Sequence, residues 1–544
     1  MKRIQLFYIK LHNKAFQKRK LNPRTAFLLF TAIVVVSLFS CTDLDENPES
    51  FISEGNYYKT KNDAEAAVNS IYYSLNHSAA QTPYRVLFVT GMDFMSDDVL
   101  MSLGATQPDV KVQSTLDHTP ATLRVKEIWQ QHYVAINRAN IAIDKIPLIP
   151  YNNATDSAAL QRLVLEAKFL RGLYYFNLVR LFGGVPLILH ETTSLSKDKL
   201  LVERVTADEV YSQIFKDFSD AEGLPWYYKP GDSNAGRASG AAAKAFQALA
   251  YLTRANINEN NRPANVSIVV GREEFLSKAI EKSNEIIERP DRYYDLFPDY
   301  ADVFKKSSKN GIEHLFSAQF KSYANGHGNN YATRNAALGI KDKNGVTVVN
   351  GTLGDAPTTD LLSKFRSNDK RRAVILTSTY TVNGITYKID KAQNAGFSEV
   401  INKYYDHDVP SNLNESGINV PILKYSEVLL INAEANNELY GPNNEAHTNY
   451  NKIRKRAGLP EFTLGNLSQD QFRDSLYLDL RIEDTHEYKR WFDLIREIDK
   501  DGNHIMVKTL RAVGKPAASD KHYLYPIPQT EIDVNPKLVQ NPGW

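Results

Sequence analysis

The sequence predicts a mostly α protein: a tetratricopeptide-like scaffold of helix pairs, about four units, carrying an irregular, loop-rich lobe with short hairpins. Three observations predict this. Apolar residues recur at helical spacing through most of residues 61–290 and 421–496. Small residues recur where helices must approach closely, as in Ala241–Ala243 and Ala433–Ala435. Between Pro290 and Pro421 the helical period fades, while Gly, Asn, Tyr and Thr rise. The strict tetratricopeptide consensus is absent, so the repeat reading rests on stacking of successive helix pairs. With 42% apolar and 24% charged residues, the chain has the composition of a packed globular protein.

Residues 1–40 read as a lipoprotein signal peptide. They hold eight Lys/Arg and no Asp/Glu, and Ala26–Ser40 form an apolar run of 15 residues. That is short for a spanning helix, which needs roughly 20. Cys41, the single cysteine, follows Leu38-Phe39-Ser40 in a lipobox pattern and is the expected lipidation site. Acyl chains hold a membrane by about 0.8 kcal/mol per buried methylene, so several on one cysteine make a stable anchor. The rest of the chain has 57 basic and 63 acidic residues. That mildly acidic balance argues against nucleic acid as a partner. Residues 41–60 read as an acidic tether. Asp43, Asp45, Asn47 and Glu54 match positions of a calcium loop, but Pro48 stands where that loop needs glycine, so no calcium site is expected.

Residues 61–544 read as one domain, with the lobe at about 290–420. Helices are expected at Lys61–Leu75, Leu123–Ile146 and Ala159–Phe182, the last stopped by Gly183-Gly184 and Pro186. A capping box, Thr206 with Glu209, opens the next. Further helices are expected at Gly240–Ile257, Arg272–Glu288, Lys424–Tyr440, Glu445–Gly458 and Ser468–Arg496. Inside the lobe, Thr379–Ile389 reads as a hairpin turning at Asn383-Gly384, and Asp342–Val349 suggests another.

Catalytic and cofactor motifs fail on their key residues. His486–Arg490 begins like a zinc-protease motif but has Arg490 at the second ligand position, so no metal is expected. Gly326–Tyr331 puts Tyr331 where a dinucleotide loop needs its third glycine, and no cofactor is expected. Glu427 and Glu434 share one helix face, roughly 10.5 Å apart along the axis. A glycoside hydrolase wants its carboxylates at about 5 Å or about 6.5–9.5 Å. Charges on an apolar stripe are usually paired, and Arg454 or Arg456 are the expected partners.

The chain carries 30 Tyr, 24 Phe and 4 Trp, most of them expected in packing. Two loops stand apart. Gly223–Arg237 holds Trp226 and Tyr227, and Tyr323–Arg334 mixes Tyr323, Asn325, His327, Asn330, Tyr331 and Arg334. A sugar presents an apolar C–H face and a rim of hydroxyls, so flat rings beside amides and guanidinium groups suit it. These eight residues are the candidate ligand contacts. The Met95–Asp109 loop is the next candidate.

Several segments together resemble the SusD/RagB-like outer-membrane nutrient-uptake lipoproteins: the lipobox, Glu166–Ile188, Gly236–Leu252, Pro421–Glu438, Tyr450–Pro460, Arg481–Arg496 and Tyr523–Trp544. Asp479 and Leu480 stand where the family usually has Glu-Arg, and Tyr488 where it usually has Gly. The resemblance implies a protein that is not an enzyme. It implies an anchor in the outer membrane, facing the cell exterior, and capture of oligosaccharide for a TonB-dependent SusC-like transporter. Peptide cargo on the same fold is an alternative, and a lipid-anchored glycoside hydrolase a weaker one.

Overall fold

Nine long helices organise the computed structural model, which describes residues 57–77, 81–102, 106–194, 196–257, 265–323 and 326–544. The leader, Cys41, most of the tether and Asn325 lie outside the described residues. The first helix, α1 (Lys61–Asn76), starts at Thr60, whose hydroxyl accepts from the Asp63 amide in a reciprocal capping box. It buries Ala64, Ala67, Val68, Ile71 and Leu75, one stripe at helical spacing. Helices α2 (Leu123–Lys145) and α3 (Ala154–Phe182) pack on it and on each other. Asn153 caps α3, which therefore begins five residues before the expected start. From Phe169 to Phe182 every residue of α3 is buried, the mark of a helix enclosed on all sides.

Each following helix packs on its predecessor: α4 (Ala207–Ala221) on α3, α5 (Gly240–Asn256) on α4, α6 (Arg272–Ile287) on α5. Gly172 allows the α3–α4 approach, since a Cβ there would meet the Phe218 ring at 3.1 Å. Beside it Arg171 donates to both oxygens of Asp217, at 2.9 and 2.8 Å. The expected capping box at Thr206 and Glu209 is present.

The chain then leaves the stack for about 130 residues and returns. Helix α7 (Tyr425–Tyr440) packs directly on α6, as though nothing intervened. The excursion passes through a neck in which His314–Ala318 pairs antiparallel with Val420–Lys424. Gln319 and Asn419 clasp it just beyond the strands: Asn419 Nδ2 donates to Gln319 Oε1 (2.8 Å), and the Phe320 amide to Asn419 Oδ1 (3.0 Å). Within the lobe the two expected hairpins form. Thr379–Val382 pairs with Ile385–Lys388, with Asn383 and Gly384 both at positive φ. Ile340–Lys341 pairs with Thr347–Val349.

Helices α8 (Asn444–Arg456) and α9 (Gln469–Glu483) complete the scaffold against α7. Here the expected single helix over Ser468–Arg496 is corrected. It breaks after Glu483, and only Arg490–Leu494 is helical beyond the break. His486 (φ 57°) and Tyr488 (φ 55°) adopt the left-handed conformation there. Tyr488 holds positive φ at the position where the resemblance implies glycine, the residue that adopts it most easily.

The break aims a run of charges inward. Glu487 takes Lys403 at 2.6 Å, Lys424 at 2.6 Å and Lys489 at 3.2 Å, and Asp484 takes Lys424 at 2.7 Å. Arg371 reaches Asp369 (2.8 Å) and Asp479 (2.7 Å). Lys403 and Arg371 belong to the lobe, so these buried pairs bolt the lobe to α9 and the turn after it. Each half-pair left alone in such a place would cost several kcal/mol.

Candidate functional site

The loop leaving the neck forms the surface best equipped to bind. Its ends are fixed by main-chain bonds: the Lys321 amide donates to the His327 carbonyl at 2.9 Å, and Asn329 bridges Ser416. Gly328 admits the 414–415 segment, because a Cβ would lie 2.4 Å from Glu415 Cα. On that base Tyr323 stands 68% exposed with positive φ (54°), its hydroxyl donating to the Asp408 carbonyl at 2.9 Å. His327 is exposed, and its ring centroid lies 6.1 Å from Tyr73. Tyr73, 41% exposed, stacks on His77 at 4.3 Å and 13°. Burial, then Arg138 and Arg85, hold the His77 imidazole below the usual histidine range, so it is neutral at pH 7. Arg85 donates from Nε to the Gly328 carbonyl at 3.3 Å.

Below Tyr323, Asp408 lines a cleft of about 530 Å³ shared with Phe304, Lys306, Asn402, Tyr405, Asp406 and His407. That is a usual ligand-pocket size. Lys306 bonds Asp406 (2.9 Å) and Asp408. The Tyr405 hydroxyl and Asn402 Oδ1 are buried without a partner. Unmet polar atoms beside a cleft are available to water or ligand.

The other sequence candidates divide. Asn330 and Arg334 are partly buried on the turn Tyr331–Asn335 that follows the loop. Tyr331 is fully buried, with its ring edge on Tyr404 at 5.0 Å and its hydroxyl donating to the Tyr84 carbonyl at 3.2 Å. Its expected role as a surface contact is therefore corrected. The Asn329 side chain accepts from the Tyr331 amide (2.7 Å) and starts a helical turn that drives the ring inward. Trp226 and Tyr227 are half-buried and engaged elsewhere: the Arg289 guanidinium covers the Trp226 ring at 3.9 Å, and Tyr227 stacks on Tyr293 at 3.8 Å. Among the described residues no ring contact joins them to the Tyr323 loop. In the Met95–Asp109 segment, Asp97 and Asp98 are buried against Arg490 (2.8 Å) and Arg481 (2.6 Å).

Sequence reasoning missed Tyr73, His77, Tyr405 and the Asp406–Asp408 turn. Tyr73 could have been found: it falls off the apolar stripe of α1, where a large ring has no packing role. The cleft could not, because its walls are about 100 residues apart in sequence.

The carboxylates proposed for hydrolysis are tied up inside. Glu427 bonds Lys489 and Glu434 bonds Arg496, each at 2.5 Å. They were expected to be structural and paired, and they are, but with different partners. Arg454 instead serves Asp479 (2.8 Å), and Arg456 serves Glu313 (2.6 Å) and Glu483. Burial raises Glu427 to about 8 and Glu434 to about 7 against those cations. His486 is buried between Asp93 and Asp355, each at 3.3 Å. Among the described residues no group of His, Cys, Asp or Glu could hold a metal ion. None of their helices is long and apolar enough to cross a membrane.

Comparison with known proteins agrees with this fold. Residues 312–544 match the SusD family, and residues 44–252 match a family described as starch-binding and associating with the outer membrane. SusD-like protein P2 of Formosa agariphila is 28% identical over 533 residues, covering 94% of this chain and 98% of that one. A SusD superfamily protein from Parabacteroides distasonis, 25% identical, superposes with a TM-score of 0.71 over 89% of this chain and 99% of the other. Surface glycan-binding protein A of Bacteroides thetaiotaomicron, solved with laminarihexaose, is 21% identical with a TM-score of 0.68, over 89% and 99% of the two chains. Fold, relatives and the two matched segments, which span most of residues 44–544, agree: the chain belongs to the SusD/RagB family.

Proposed function

We propose that this chain is a cell-surface glycan-binding lipoprotein. It captures oligosaccharide at the face formed by Tyr73, His77, Tyr323 and His327 and passes it to a TonB-dependent SusC-like transporter. Cys41 carries the lipid that holds it on the outer membrane, facing outward. The observation that carries this reading is the exposed rings of Tyr73, Tyr323 and His327, with His77 buried behind Tyr73, beside a polar cleft and fixed by main-chain bonds at their base. Sugar hydroxyls are well hydrated, and each hydrogen bond they make nets only about 0.5–1.5 kcal/mol. Ring stacking therefore supplies most of the affinity. Family membership and the laminarihexaose complex of a protein with the same fold support the reading. The chemistry is capture and release, without covalent steps, since Glu427 and Glu434 are engaged in internal ion pairs.

The test is a glycan array followed by calorimetry with the full-length protein in detergent. Saturable binding of at least one oligosaccharide is expected, with the ligand recovered uncleaved. Failure to bind any glycan, with binding of peptides instead, would overturn the reading. So would glycan cleavage that vanishes in Glu427→Gln.

A further inference from the structure

Two partly buried guanidinium groups behind the ring-lined face have almost no acceptors among the described residues. Arg334 makes no side-chain hydrogen bond among the described residues, and its Nε is buried without an acceptor. Arg85 makes only the 3.3 Å contact from Nε to the Gly328 carbonyl. Neither has a carboxylate oxygen within 4 Å among the described residues. Arg124, close by, has the carboxylates of Asp109 and Glu127 each at 2.9 Å. Burial first, then repulsion from Arg124 and Arg85, holds the Arg334 guanidinium below the ordinary arginine range, and Asp355 opposes this. Asp355 is itself bonded by Asn335, at 2.8 and 2.7 Å. Glu415 lies within electrostatic reach of Arg85 without pairing.

Unmet polar atoms gather on the same segments. Asn330 Oδ1 and Thr333 Oγ1 are buried without partners on the turn that carries Arg334. Glu415 Oε2 is unmet on the 3-10 turn Leu413–Glu415 that packs against it. Ser102 Oγ is unmet as well, and Ser102 and Arg334 meet at one residue, Gly354. The Gly354 amide donates to the Arg334 carbonyl at 2.6 Å, and the Ser102 amide to the Gly354 carbonyl at 2.9 Å. Buried polar groups in folded proteins are satisfied in the great majority of cases. A cluster of acceptors around two free guanidinium groups matches a ligand with many hydroxyls and an acidic group. Guanidinium recognises carboxylate or sulfate through paired, charge-assisted hydrogen bonds.

We propose that Arg85 and Arg334 read a carboxylate or sulfate on the bound sugar, so that the preferred cargo is an acidic glycan. This rests on the glycan-binding reading above and adds the class of sugar.

Calorimetry with the full-length protein in detergent tests it. The probes are oligogalacturonate, its carboxyl-reduced form, carrageenan oligosaccharides and laminarin oligosaccharides. Oligogalacturonate or carrageenan should bind at least ten-fold tighter than the carboxyl-reduced and laminarin probes, and the two acidic probes distinguish carboxylate from sulfate. Affinity for the acidic probe should fall as salt rises. Arg334→Gln should abolish the acidic preference, and Arg334→Lys should keep part of it. Arg85→Gln is the second variant should Arg334→Gln fail to fold. Equal binding of acidic and neutral probes, or a preference unchanged in folded Arg334→Gln and Arg85→Gln, overturns the proposal and leaves glycan binding standing. Failure of every glycan probe overturns both.

Discussion

Asp93 Oδ2 faces His486 Nδ1 at 3.3 Å in the interior, and neither atom has another partner. On the other side of the ring, Nε2 donates to the Asn335 amide oxygen at 2.7 Å. With the Nε2 proton donated to Asn335, Nδ1 is bare, and its 3.3 Å neighbour Asp93 meets it best when protonated. Burial, then Asp355 and Asp98, pushes the Asp93 carboxyl well above the usual range. A carboxyl whose folded pKa is raised stabilises fully only below its unfolded pKa, about 3.9, and loses that contribution as pH rises toward the folded value. Asp93→Asn, whose amide donates at every pH, should therefore gain stability over the native chain as pH rises from 5 to 8. The gain should approach about 1.4 kcal/mol per pH unit at most. Urea melts across that range check it, and a pH-independent loss would refute the protonated acid. The two tyrosines of the binding segment should separate cleanly. Tyr323→Ala should weaken glycan binding several-fold with an unchanged melting temperature, because the ring is exposed. Tyr331→Ala should cost about 3 kcal/mol or more of stability, because it empties a filled core position.

Among the elements, the turn after α9 is the most consequential. Burial raises the Glu487 pKa, but Lys403, Lys424 and Lys489 outweigh it and hold the carboxyl below the usual range. Its contribution is present above an unfolded pKa of about 4.3 and is lost as pH falls through the lower folded value. Glu487→Ala should cost about 3–5 kcal/mol at neutral pH by stranding Lys403, which has no other carboxylate within reach among the described residues, while Lys424 keeps Asp484 and Lys489 keeps Glu427. Hydrogen exchange should show the lobe around Arg371 and Lys403 loosening before α2 and α3. Equal protection in both regions would mean that the pairs do not bolt the lobe. This turn also marks the limit of what the sequence reveals. Helices α1 to α8 were legible to within a few residues, because each buries a stripe at its own period or carries a local cap such as Thr206–Glu209. The break at His486–Tyr488 was not. The segment keeps a helical pattern, and only tertiary pairing with Lys403 and Lys424, over 60 residues away, rewards positive φ at two non-glycine positions. The site divides in the same way. Tyr323 and His327 stand out as loop residues of the right chemistry, whereas Tyr331 turns inward for a reason that lies in Asn329.

For the whole molecule, attachment and binding are separate tasks. Cys41→Ala should leave an unacylated protein that no longer sediments with outer membranes yet binds glycan normally. Retention of the variant after a high-salt wash would count against the lipid anchor. Separation runs deeper in the path of the chain. The excursion between α6 and α7 departs and returns through one neck held largely by backbone hydrogen bonds, which are indifferent to side-chain identity. Changes of length or sequence between Gln319 and Asn419 thus leave the helix stack in register, provided that residues such as Arg371 and Lys403 still answer α9. The lobe is in effect an exchangeable cassette. Residues within it can vary while the architecture around it is kept.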